Sequence, residues 1–178
     1  MIKKYYALFI IFILNSITPA MSAGLNNDLL KVAYIYNIAN FTRWPDSTWD
    51  KLSDAFILCS YGTDIISSGL DKLESKLINK RPTLVINVKE DQDLKDCNAL
   101  YINTDQRRSY RYLLSKINQQ NVLVIANNTP FFDFGSLINL IEKDKRLRFQ
   151  VSKKQLSKSQ LNLSSKLLKL AILVDDVR

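Results

Sequence analysis

The chain has 178 residues, 47% of them hydrophobic, with 25 Lys and Arg against 17 Asp and Glu and a formal net charge of +8. That apolar content, with only 4 Gly and 4 Pro, excludes disordered, collagen-like and linker-like sequence and predicts one compact domain. The absence of His excludes a His-based catalytic triad and a His-ligated zinc.

Lys3 and Lys4 precede an apolar run from Tyr5 to Leu14, and Asn15 to Ala23 is small and polar with Pro19. This is the pattern of an export signal peptide over residues 1–23, with cleavage after Ala20, Ser22 or Ala23. Its run of about ten apolar residues is too short for a membrane span, which needs about 20. The mature domain, residues 24–178, then carries 23 basic against 17 acidic groups, a net charge of +6. Cys59 and Cys97 are the only cysteines, and an even pair in an exported chain predicts one structural disulfide. Two buried free thiols or a redox dithiol are the rival readings; the wide separation is unlike the close CxxC of the latter.

Leu25 to Phe41 has helical spacing, with Asn26 or Asn27 as the cap and Leu25, Leu29, Val32, Tyr36 and Ala39 as the buried stripe. Leu30, Tyr34, Ile35, Ile38 and Phe41 widen the apolar surface beyond that stripe, so the helix is buried on most sides or meets a partner. Pro45 ends it near Thr42 or Arg43, because the residue before a proline is pushed out of helical geometry. Ala55 to Ser60 then reads as a buried strand and Asp64 to Ile78 as a helix carrying Ile65, Leu70, Leu73 and Leu77. Pro82 to Val88 and Ala99 to Asn103 are strands, Gln106 to Asn118 a helix with Tyr110, Leu113, Leu114 and Ile117 inward, and Asn121 to Ala126 an apolar strand. Leu137 to Ile141 and Arg146 to Val151 form an antiparallel hairpin turning through Glu142 to Lys145. Ser152 to Ser157 starts a short helix, and Ser164 or Ser165 caps a last one containing Leu167, Leu168, Leu170, Ala171 and Val174. The alternation predicts an α/β fold: a mostly parallel central sheet flanked by helices on both faces, with an antiparallel edge hairpin near the C-terminus.

The chemical inventory is thin. Neither a GxGxxG nor a GxxxxGK loop is present, and no cofactor is expected. Gly62, just after a strand, reads as a turn residue or as the lining of a strand-end crevice, where open α/β sheets bind ligands. Glu90, Asp91, Asp93 and Asp96 suit a hard cation by ligand type but lack the spacing of a calcium loop, so a solvated loop is the expectation and no metal is predicted. Arg107, Arg108 and Arg111 beside Tyr110 and Tyr112 look superficially like a nucleic-acid surface. Export argues against that partner, and a solvated helix face with Tyr110 turned inward is expected. Lys143, Lys145, Arg146, Arg148, Lys153, Lys154 and Lys158 make the last third basic, which suits anionic lipid or an acidic protein face.

The ordered run Lys31-Val32-Ala33-Tyr34-Ile35-Tyr36-Asn37-Ile38-Ala39-Asn40-Phe41-Thr42-Arg43-Trp44-Pro45 resembles the first-helix signature of the YfiR-like family of exported regulators. Phe56-Ile57-Leu58-Cys59 with Gly62, Asp96-Cys97 before a strand, and Arg146-Leu147-Arg148-Phe149 leading to Leu163 through Ala171 agree in the same order. The resemblance implies a non-enzymatic periplasmic inhibitor that binds the periplasmic sensing domain of an inner-membrane GGDEF diguanylate cyclase. By the same resemblance, holding that domain would repress cyclic di-GMP synthesis and biofilm formation. It also implies an outer-membrane lipoprotein as a second partner, a dimeric state and a family disulfide matched by Cys59 and Cys97. A second family cysteine pair has no counterpart here, and Gly135-Ser136 and Ser152 depart from the family's Gly-Gly and Asn.

Tyr34, Tyr36, Phe41 and Trp44 are the aromatic candidates for a partner-binding interface, with plain core packing as the competing role of each. A soluble sensor that binds a small ligand in the crevice near Gly62 and the Ala126 to Pro130 loop is the second functional expectation. An enzyme ranks third, since an acid–base pair would have to come from Asp, Glu, Lys or Tyr alone.

Overall fold

The computed structural model describes residues 22–49, 54–89 and 94–175. Residues 1–21 of the predicted signal peptide, and Glu90, Asp91 and Asp93 of the acidic loop, lie outside them.

Helix α1 (Ser22–Asn40) begins before the predicted cap, so Asn27 lies within it and donates to the Glu142 carboxylate at 3.4 Å. The buried face is also rotated from the predicted stripe: Ile35 and Ile38 are buried with Val32 and Ala39, while Leu29 is exposed. The helix stops at Asn40, where Thr42 Oγ1 donates to the Ile38 carbonyl at 2.7 Å and Asn79 Nδ2 donates to the carbonyls of Ala39 and Thr42. The Ile38 and Ala39 carbonyls are among those a helix C-terminus leaves unpaired, and the Asn79 bond to Thr42 ties the turn to the strand that follows. Strand β1 (Thr42–Arg43) follows and pairs antiparallel with the late strand β9 (Asn162–Leu163), a two-stranded ribbon outside the main sheet.

The main sheet begins with β2 (Phe56–Tyr61), followed by α2 (Ile65–Leu70) capped by Asp64. The predicted long helix ends there. After a 3-10 turn at Asp71–Leu73 the chain forms β3 (Leu77–Ile78) and turns at once into β4 (Arg81–Asn87). Asn79 and Lys80 both have positive φ, 51° and 65°, the two-residue turn whose twist suits a hairpin. Strand β5 (Ala99–Ile102), helix α3 (Arg107–Ser115) and strand β6 (Leu123–Asn127) continue the alternation. Strands β7 (Ile138–Lys143) and β8 (Arg146–Ser152) form the predicted hairpin, closed by Asp144 and Lys145 at φ 52° and 57°.

Helix α4 (Lys153–Lys158) and helix α5 (Ser165–Leu170) are capped by Ser152 and Ser164, each accepting from a backbone N–H three residues on. The last predicted helix is shorter than its pattern suggests. Ala171 is extended and Ile172–Val174 form β10, which pairs in parallel with Gln150 to Ser152 of β8. The hairpin is thus near the edge, with β10 outside it.

The strand order is β10-β8-β7-β6-β5-β2-β4-β3. The run β4-β2-β5-β6-β7 is parallel throughout and follows the 2-1-3-4-5 order of doubly wound sheets. Neighbouring residues along a strand face opposite layers, so Leu58, Tyr101 and Ile125 join the core under α1 and α2, while Cys59, Leu100 and Val124 join the core under α3. None of the described helices is long and apolar enough to cross a membrane.

Candidate partner-binding surface

The four aromatic candidates occupy different environments. Trp44 is 8% exposed, packs edge-on against Phe56 at 5.1 Å and donates its indole N–H to the Asn121 carbonyl at 2.8 Å. It is a core residue, with its partners supplied by Phe56 of β2 and by Asn121, just before β6. Tyr36 is half-buried, its hydroxyl donating to the Leu77 carbonyl at 3.1 Å. Tyr34 donates to the Leu147 carbonyl at 3.3 Å and meets the Phe149 ring edge-on at 6.1 Å. Phe41 is 43% exposed.

Phe41 and Tyr34 share a groove of about 490 Å³ between α1 and α5, whose floor is Ile38, Phe149 and Leu167. Leu170, 70% exposed, forms the opposite lip, and Asn37, Arg148 and Lys166 supply the polar rim. Ile38, Phe149 and Leu167 are core residues, so the groove is a place where the core reaches the surface. Sequence reading named Tyr34 and Phe41 but missed Leu170, which carries the helical spacing of a buried residue.

The strand-end crevice is differently built. It lies where the strand order reverses, between β2 and β5. Asp64 fills it: one carboxylate oxygen accepts from the Ser67 N–H and hydroxyl at 2.9 and 2.6 Å, the other from the Tyr101 hydroxyl at 2.8 Å and Asn103 Nδ2 at 2.7 Å. Burial, with the Asp64 carboxylate beside it, drives the Tyr101 phenol far above its ordinary pKa. Gly62 has φ 144°, and a Cβ there would stand 3.0 Å from the Asn103 carbonyl oxygen. Its conformation and this close approach both require glycine, and both serve the packing of the chain on itself. The Ala126 to Pro130 loop is pinned as well, with the Asn128 N–H donating to the Leu140 carbonyl and that of Thr129 to Asn139 Oδ1.

Cys59 and Cys97 are joined, with Cα atoms 5.8 Å apart, tying β2 to the segment before β5. Both are buried in the layer under α3 beside Leu94 and Val88. Tyr110 lies in the same layer, as its helical spacing indicates; burial pushes its hydroxyl up to about 12, against the hydrogen bond it shares with Ser136. Arg107 and Arg111 sit over the exposed Phe134 ring at 5.0 and 5.7 Å, so both guanidiniums cover an aromatic. Asp96 is exposed, and no group of three or more potential metal-ligating His, Cys, Asp or Glu residues occurs among the described residues.

The YfiR/HmsC-like family model matches residues 28–172, from the first turns of α1 into β10, and the chain therefore belongs to that family of regulators.

Proposed function

We propose that this chain is a periplasmic negative regulator that binds the periplasmic sensing domain of an inner-membrane GGDEF diguanylate cyclase and represses cyclic di-GMP synthesis and biofilm formation. The observation that carries this reading is the family match across residues 28–172. The buried cystine supports it, because such bonds persist in oxidising compartments such as the periplasm. An outer-membrane lipoprotein that draws the inhibitor away, and a homodimeric state, belong to the same proposal.

The competing reading, a small-ligand sensor at the strand-end crevice, has less support, since Asp64 already holds four donors there. The test is genetic and biochemical together. Deleting the chain should raise cyclic di-GMP, and the purified mature protein should recover a membrane cyclase from a periplasmic and membrane extract. Unchanged cyclic di-GMP with no such partner recovered refutes the proposal.

A further inference from the structure

We propose that the groove between α1 and α5 receives an acidic amphipathic helix of a partner protein, laid along α1. From the preceding reading this takes only that the partner is a protein. Leu30, Tyr34, Asn37 and Phe41 follow the i, i+4, i+7, i+11 spacing that puts residues on one side of a helix. Eleven residues at the helical rise span about 16 Å, roughly three turns. A strip of that length, with the groove of about 490 Å³ beside it, matches the i, i+3, i+4, i+7 anchors of a docked helix. Phe41 and Leu170 both line the groove and are exposed, Leu170 with most of its side chain in solvent, and Leu30, one turn before Tyr34 on α1, is exposed as well.

The charge of the rim selects the occupant. Arg148 and Lys166 border the groove, both are exposed, and neither is ion-paired among the described residues. Lys169 is exposed on the same short helix. A second copy of the mature domain, with a net charge of +6, would bring the same cations against themselves in an isologous contact. A partner with an apolar stripe flanked by Asp and Glu meets both the floor and the rim. Its association should weaken with salt, as steered encounters of opposite charge do.

The test uses the purified mature protein and the periplasmic domain of a GGDEF cyclase from the same genome, with Kd measured at low and high salt. Phe41→Glu and Leu170→Glu should each weaken binding at least tenfold. Arg148→Glu combined with Lys166→Glu should weaken it at least tenfold at low salt and flatten the salt dependence. Leu84→Glu, an exposed apolar position on β4, should stay within twofold. Unfolding midpoints of the variants separate a lost contact from a lost fold.

If the domain binds and the groove variants bind as wild type does, the groove proposal is overturned while the cyclase reading stands. If wild type does not bind the domain, the cyclase reading fails and the groove is decided separately. In that case Leu170 is replaced in cells by the photo-cross-linker p-benzoylphenylalanine and the captured peptide is sequenced. An acidic amphipathic helical segment of another protein supports the proposal; another copy of this chain, a lipid or no adduct overturns it.

Discussion

Asp64 accepts the Tyr101 hydroxyl at 2.8 Å, joining the exit of β2 to the centre of the neighbouring strand β5. The same carboxylate caps α2 through the Ser67 N–H, so one side chain fixes a helix start and closes the crevice at the reversal of strand order. Open α/β sheets usually bind ligands at this point. Here the position is occupied by hydrogen bonds that hold the fold. The groove over Phe149, between α1 and α5, is apolar and open.

Asp64→Ala should therefore cost stability through several donors at once. It leaves the Tyr101 hydroxyl and Asn103 Nδ2 without their acceptor and removes the cap of α2. Stranded buried donors cost about 1–3 kcal/mol and a lost cap about 1 kcal/mol, so a loss of about 2–4 kcal/mol is expected. Tyr101→Phe, which removes one donor and leaves Asp64 three, should cost about 1 kcal/mol. Urea unfolding followed by far-ultraviolet circular dichroism measures both, and equal losses would contradict the shared-acceptor account.

Alkaline pH should destabilise the chain through its buried phenols. Tyr101 and Tyr110 have raised folded-state values, so the folded chain retains protons that the unfolded chain releases near pH 10. Their contribution is complete below about pH 10 and is lost as pH rises through the folded value, about 12 for Tyr110. For Tyr110 the loss is on the order of 3 kcal/mol. Part of the phenolate absorbance should then appear only as the circular dichroism signal collapses. Tyr110→Phe should reduce the slope of stability against pH in that interval; an unchanged slope would show that Tyr110 ionises freely.

The parts of the fold legible in the sequence are those whose burial is continuous or periodic along the chain. β5 and β6 are buried along nearly their whole length and read as plain apolar runs, and α3 shows Tyr110, Leu113 and Leu114 at helical spacing. Leu77 also fits helical spacing after Leu73, yet it lies in β3, because the positive φ values of Asn79 and Lys80 fold Ile78 back onto Arg81. Nothing in an Asn-Lys pair signals that turn as strongly as Asn-Gly would. Leu170 to Val174 looked like the end of a helix; what makes Ile172 to Val174 a strand is pairing with Gln150 to Ser152, a long-range choice absent from the local pattern. The groove was half legible for the same reason. Tyr34 and Phe41 could be picked out on α1, whereas the opposing lip depends on where α5 docks.

The cystine should carry a large share of the stability. It closes a loop with a sequence separation of 38, for which chain entropy gives on the order of 4 kcal/mol. Peptide mass mapping without reductant should show Cys59 linked to Cys97. The double variant Cys59→Ala with Cys97→Ala should lower the urea midpoint by an amount equivalent to about 2–4 kcal/mol. A change below about 1 kcal/mol would mean that packing of Leu94 and Val88 around the site holds that layer without the bond.

Trp44 and Phe41 stand three residues apart and should behave oppositely. Trp44 is packed between Trp49 and Phe56, and its indole N–H occupies the Asn121 carbonyl. Trp44→Ala opens a cavity and strands that carbonyl, a loss of about 3–5 kcal/mol. Trp44→Phe keeps part of the packing but removes the donor, so about 1–2 kcal/mol is expected. Phe41, 43% exposed, loses much less on folding, and Phe41→Ala should cost under about 1 kcal/mol. In a binding assay the order reverses at conditions where all variants are folded: Phe41→Ala should weaken partner affinity while Trp44→Phe leaves it near wild type. If Trp44→Phe weakens binding more than Phe41→Ala does, the contact surface lies around Trp44, Trp49 and Phe56 and not in the groove.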